Sequence, residues 1–194
     1  MKKMLLKTIQ LFTLMISSAL IITACGSQST NNGESHEGHN HAAEEKEEVS
    51  EKTLEAQAAV ANFETAYANA DNTLAAYMVL KDALVATNAE LAQKAAGKLA
   101  ELSEGEVKSA AEGIAASTDV KEQRNLFNTI SQQMYESLKA DGAEATVYKQ
   151  YCPMAFNNEG AYWLSTEEKI MNPYFGDIML NCGRVDETFQ ASTN

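Results

Sequence analysis

The stretch Val60–Leu84, VANFETAYANADNTLAAYMVLKDAL, sets the class of the fold. Val60, Phe63, Tyr67, Ala70, Leu74, Tyr77 and Leu84 recur mostly at steps of three and four, which places them on one stripe of an α-helix. The spacing predicts one long helix from about Lys52 to about Ala86. Further on, Thr87 and Glu90 in TNAE stand at capping-box spacing, and Leu91, Ala95, Leu99 and Leu102 form a second stripe. Gly105 interrupts it, and a short third helix carries Val107, Ala110, Ala111 and Ile114. Asp119, three residues before Glu122, opens a fourth with Val120, Phe127, Ile130, Met134 and Leu138, and Gly142 closes it. Short connections imply antiparallel neighbours, so the expected fold is mainly α, with a four-helix up-and-down bundle over residues 52–145. Many stripe positions are Ala, which lets helices approach closely but leaves few large side chains for the core.

Residues 146–190 have a different character. They hold both prolines, the single Trp and most of the later aromatics. TVYKQY and GAYWLS have the composition of short strands, and CGRVDETF suits a last one. Ser165 and Glu168 in STEEKIM predict a short helical turn, and Pro173 and Gly176 in NPYFGD mark a turn. These features predict a small irregular α/β cap packed on the bundle as one domain with it. Tyr162, Trp163, Tyr174 and Phe175 are expected to seal the two together, because aromatic side chains bury large areas.

The N-terminus belongs to targeting rather than to the fold. MKKMLLKTIQLFTLMISSALIITAC carries lysines, an apolar run from Leu11 to Ile22, and small residues before Cys25. That is the pattern of a secretory signal over residues 1–24, with a lipobox-like end whose Cys25 takes the acyl chains. The apolar run is short for a membrane span. The expectation is an exported protein, lipid-anchored to the cell envelope, on its periplasmic face or at the cell surface. Residues 25–51 follow as a polar, acidic tether without apolar periodicity, expected to be disordered.

Composition narrows the function. The chain carries a formal charge of −12, which suits neither nucleic acid nor anionic lipid. The membrane link is therefore the acyl anchor. All three histidines, His36, His39 and His41, lie in the tether segment HEGHNH. The folded part then has no imidazole for a Ser-His-Asp or Cys-His arrangement and none for a zinc site, and no Gly-rich phosphate loop appears. The protein is expected not to be an enzyme. The tether histidines, with Glu34 and Glu37 beside them, form a flexible chelate suited to Cu(II), Ni(II) or Zn(II).

The chemistry of the cap lies in its sulfur. YCPMAF places Cys152 two residues before Met154, and IMLNCG places Met179 three before Cys182, in nearly mirrored order. In an exported domain an even pair of cysteines reads first as a disulfide. Such a link would stabilise the fold by about 3–4 kcal/mol in the chain-entropy model. The competing chemistry is a soft-metal site, with Cys152 and Cys182 as thiolates and Met154, Met179 and Met171 as thioether donors for Cu(I). A thioether also stays neutral and escapes disulfide formation. Both chemistries stand at this point, as does the plain role of methionine as a filler of small cores.

Three blocks, LAAYMVLKDALVATNAELAQKAAGKLA, QRNLFNTISQQMYESLKA and VYKQYCPMAFNNEGAYWLSTEEKIMNPYFGDIMLNCGRVDETF, carry a family resemblance. Over roughly Leu54–Phe189 the chain resembles an uncharacterised family of exported bacterial domains of unknown function. That family occurs as lipoproteins and fused to periplasmic adaptor subunits of heavy-metal efflux systems. The resemblance implies an envelope-located helical domain with a copper or heavy-metal connection, and a heavy-metal efflux adaptor or other envelope protein as partner. It implies no catalytic residues. Cys152-Pro153-Met154 is also similar to the CPM of short heavy-metal-binding domains in copper transporters, although Ala155-Phe156 stand where those have His-Pro. The function these features predict is a lipid-anchored envelope protein that binds copper or another soft heavy metal as a scavenger or an accessory to efflux. The alternative is a non-catalytic interaction or scaffold lipoprotein whose Cys152–Cys182 pair is a structural disulfide.

Overall fold

In the computed structural model the described residues are 58 and 60–191. The signal segment, Cys25 and the tether with His36, His39 and His41 lie outside them. Five helices precede a three-stranded antiparallel sheet: α1 (60–69), α2 (Thr73–Val85), α3 (Ala89–Glu101), α4 (Gly105–Ala116), α5 (Val120–Asp141), then β1 (Val147–Cys152), β2 (Ala161–Ser165) and β3 (Arg184–Phe189). The chain is thus mainly helical with a small C-terminal sheet. Among the described residues no helix is long and apolar enough to cross a membrane.

The expected first helix is two helices. The break lies at residues 70–72, where the Asn72 side chain accepts from Ala75 N at 2.9 Å. An Asn side chain satisfies a backbone donor at a helix start better than it serves mid-helix, so the chain restarts there. Phe63 and Ala70 remain buried while Val60 is exposed. α2 is apolar nearly all round and buries Tyr77, Leu80, Ala83 and Leu84 among others, as a central helix should.

α3 begins one residue later than the TNAE spacing predicts. Asn88, not Thr87, is its cap, accepting from Leu91 N at 3.0 Å, while Thr87 takes a left-handed φ of 54°. Ala92, Ala95, Ala96, Leu99 and Ala100 are its buried residues, all but Leu99 small. α5 starts as the sequence predicts, with Asp119 Oδ1 accepting from Lys121 N at 2.8 Å. It ends at Gly142, whose φ of 82° is open to glycine. Consecutive helices α2 to α5 pack on one another, and α5 also lies against β2.

The sheet order is β2-β1-β3. In its register Cys152 stands opposite Ala161 and Gln150 opposite Trp163. A bulge at Lys149–Gln150 interrupts the pairing with β3. Helices and sheet share one core. At its centre the Tyr77 hydroxyl accepts from Leu164 N at 3.0 Å and shares a hydrogen with Ser131 Oγ at 2.7 Å. Burial pushes the Tyr77 phenol far above its ordinary value.

The predicted helical turn in STEEKIM does not form. The backbone bends through residues 166–169, with Ser165 Oγ accepting from Glu167 N at 3.0 Å. The carbonyls of Glu167, Glu168 and Lys169 converge on the buried Gln150 Nε2 at 2.9, 3.0 and 3.1 Å. A buried amide needs acceptors. It recruits carbonyls that a helix would have kept for itself.

Candidate functional site

β1 delivers Cys152 to the end of the sheet, where its side chain is fully buried. Pro153 then ends the strand, having no N–H to continue the ladder. The turn that follows is unusual: Phe156, Asn157 and Asn158 have φ of 50°, 58° and 70°. Left-handed backbone costs about 1–2 kcal/mol for a residue with a side chain. Asn tolerates it, and the Phe156 ring offsets the cost by packing edge-on against Tyr174 at 5.2 Å. Gly160, at φ 81°, brings the chain back into β2, and a Cβ there would collide with the Tyr151 hydroxyl.

The second segment, residues 170–183, returns along the same end. Its organiser is Asn172, buried with no exposed surface. Its N–H donates to Leu180 O at 2.7 Å and its carbonyl accepts from Gly176 N at 2.9 Å. Its Oδ1 accepts from Tyr174 N at 2.9 Å and Phe175 N at 3.3 Å. Its Nδ2 donates to Cys182 O at 2.8 Å. One side chain thus fixes both the start and the end of the loop that carries Met179 and Cys182. Arg124 of α5 ties the loop to the helices, donating to Pro173 O at 2.8 Å, Leu84 O at 3.2 Å and Thr87 Oγ1 at 3.1 Å. The buried Tyr174 hydroxyl donates to Tyr162 O at 2.6 Å, and its ring meets those of Phe127, Phe156 and Trp163. Trp163 and Tyr174 are buried and Tyr162 and Phe175 half-buried, so these aromatics join the sheet and loop to the helices.

The two segments meet at sulfur. Cys152 Sγ and Cys182 Sγ lie 3.0 Å apart, both as free thiols. Cys152 is closed off and Cys182 is half-buried. The tip of the Trp163 indole lies against Gly183, next to Cys182. The Cys182 thiol is pushed up to about 11, first by its hydrogen bond to Cys152, then by burial and by the charge of a Cys152 thiolate. Two thiolates this close would repel each other, so losing both protons would call for a cation between them. The raised value also leaves Cys182 a poor nucleophile near neutral pH.

The methionines are distributed unevenly. Met154 and Met179 stand on the two cysteine-bearing segments, Met154 exposed and Met179 half-buried, with Met179 O accepting from Cys182 N at 3.1 Å. Met171 lines a separate cleft of about 370 Å³ with Phe63, Val79 and Val85 of the first two helices. Among the described residues no group of three or more His, Cys, Asp or Glu side chains gathers as metal ligands do. A metal at the cap would rest on the two thiolates and on thioether sulfur, a donor set that suits a soft ion.

Asn172, Arg124 and Gln150 escaped the sequence reading, and Tyr77 was legible only as one apolar position of a helix stripe. Asn172-Pro173 was legible only as a turn, and nothing local distinguishes Arg124 and Gln150.

The family model described as "Protein of unknown function (DUF3347)" matches residues 73–146. That range runs from α2 through α5 and stops just before β1, so the segments carrying Cys152 and Cys182 fall beyond it. No curated protein and no solved structure matches the chain.

Proposed function

We propose that the chain is an exported, lipid-anchored envelope protein that binds a soft heavy-metal ion, Cu(I) foremost, through Cys152 and Cys182. Helices α2–α5 serve as an up-and-down bundle that carries the thiol-bearing cap. The observation that supports this is the meeting of the two cysteine sulfurs at 3.0 Å, with Cys182 only half-buried. Both donors would lose their protons as the ion enters, so binding would weaken as pH falls. Zn–S bonds of about 2.3 Å in a tetrahedral site would set the sulfurs about 3.8 Å apart. The pair must therefore open on binding, by movement of the loop bearing Cys182. Met154 and Met179 are the nearby soft donors along the chain, and the tether histidines would hold a separate divalent ion such as Cu(II). The acyl anchor at Cys25 and the resemblance to efflux-linked domains favour a scavenger or an accessory to metal export. The work is binding, with no catalytic step.

The short sulfur separation supports a second reading, a structural disulfide in a scaffold lipoprotein. Closing 3.0 Å to a bond of about 2.05 Å asks for a sulfur movement of about 1 Å, comparable with the opening an ion would need. One titration separates the two. The reduced protein is titrated with Cu(I) against a chromophoric copper(I) chelator, beside Cys152→Ser/Cys182→Ser and a variant with His36, His39 and His41 changed to Ala. The proposal predicts one ion per chain, lost in the double Ser variant and kept in the His variant. Equal copper uptake by parent and double Ser variant would leave only the staple.

A further inference from the structure

A second concavity lies at the other end of α2 and α5. The thiol cap adjoins the C-terminal end of α2 and the first turns of α5, through Leu84, Thr87 and Arg124. The groove is built instead by the N-terminal half of α2, the α3–α4 connection, the last turns of α5 and the end of β2. Its volume is about 840 Å³, within the range of about 300–1,000 Å³ for sites that hold small organic ligands.

The lining has a polarity of its own. Leu74, Met78, Leu102, Val107, Met134 and Leu138 supply an apolar surface. Two of these are methionines, whose unbranched side chains adapt to ligands of varied shape. Glu104, Asp141 and Glu144 also line it, all three exposed and none in an ion pair among the described residues. No Lys, Arg or His lines the groove. Of its small polar groups, Thr73 Oγ1 donates to Leu102 O and Ser103 Oγ to Leu99 O, both at 2.6 Å. An anion would meet three carboxylates and no counter-charge. A neutral apolar molecule would use the surface and leave the acidic groups idle. An apolar body with a positive head would use both.

We infer that this groove binds a cationic amphiphile, a small molecule with a hydrocarbon body and a single ammonium-type head, independently of the thiol cap. The hydrocarbon lies on the leucine and methionine surface, and the head sits among Glu104, Asp141 and Glu144. Three exposed carboxylates acting together supply a preference for the cation of about tenfold at low salt, which shrinks as salt is added.

The test is calorimetric titration of the full protein, below micellar concentration, with decyltrimethylammonium and, separately, decyl sulfate. The two share one chain and differ in charge. The expected result is saturable binding of the cation, about tenfold tighter than the anion at low salt. In Glu104→Gln/Asp141→Asn/Glu144→Gln, whose changes are all on exposed side chains, that preference should vanish. Met78→Trp, which fills the groove, should weaken the cation at least as much, with melting temperature as a check on folding. Cys152→Ser/Cys182→Ser should bind the cation as the parent does, which separates this site from the cap. Equal affinity for the two amphiphiles, an unchanged preference in the triple variant, or no saturable binding would each overturn the inference.

Discussion

Asn172→Ala removes the side chain that closes the Cys182 loop, and its cost can be worked from the contacts. The substitution deletes the donor to Cys182 O at 2.8 Å and the acceptor for Tyr174 N at 2.9 Å, besides a weaker bond to Phe175 N at 3.3 Å. The site has no exposed surface at Asn172, so water does not readily replace the lost partners. A buried group left unpaired costs about 1–3 kcal/mol. Two such groups, with the third bond discounted for its length, give about 3 kcal/mol. In a domain of this size that lowers the melting temperature by about 10 °C. Thermal unfolding followed by circular dichroism measures it. Asn172→Asp sharpens the test, because it keeps the acceptor for Tyr174 N but turns an oxygen toward Cys182 O. It should be at least as unstable as Asn172→Ala at neutral pH. It should recover as pH falls, since a protonated carboxyl can donate to Cys182 O. Its folded-state carboxyl would be raised, so its stability is present at low pH and lost as pH rises through that value. If Asn172→Ala melts within about 2 °C of the parent, Asn172 does not organise the loop as its bonds imply.

Three further outcomes follow from the geometry of the thiol pair and of the core. Alkylation of Cys182 in the reduced protein should be about a hundredfold slower at pH 8 than for an ordinary thiol, rising with pH toward about 11. Cys152→Ala should relieve it, because the hydrogen bond that leads the shift is gone, and mass-resolved labelling at equal rates in both proteins would refute the coupling. The same retained proton means that stability present below pH 9 declines between about 9 and about 11, where the unfolded thiol has ionised and the folded one has not. Tyr77→Phe leaves Leu164 N–H without its acceptor and Ser131 Oγ without its partner. It should cost about 2 kcal/mol in urea unfolding, and a loss under about 0.5 kcal/mol would mean that those groups find other partners.

Much of the secondary structure was legible because it rests on short-range chemistry. The three-and-four spacing of Phe127, Ile130, Met134 and Leu138 marks α5 wherever it packs, Asp119 caps it within two residues, and Gly142 ends it by taking a φ closed to most side chains. The three strands of the cap were visible for the same local reason. The break at residues 70–72 was not, because the apolar spacing carries across it and only the Asn72 cap distinguishes two helices from one. The turn predicted after Ser165 failed for a long-range reason. Gln150, some fifteen residues earlier on another strand, is buried and draws three carbonyls away from helical bonding.

The candidate site divides along the same line. The order C-x-M then M-x-x-C in the sequence determined which atoms are available: two thiols, flanking thioethers, and no imidazole among the described residues. Whether those sulfurs meet depends on where two distant segments are held. That was decided by the antiparallel register that puts Cys152 opposite Ala161, by Asn172 bonding to both ends of the returning loop, and by Arg124 fastening that loop to α2 and α5. Each joins residues that lie outside one another's helical or turn neighbourhood in the chain. Periodicity and spacing record only what a residue does for its neighbours, and so they carry no trace of these bonds.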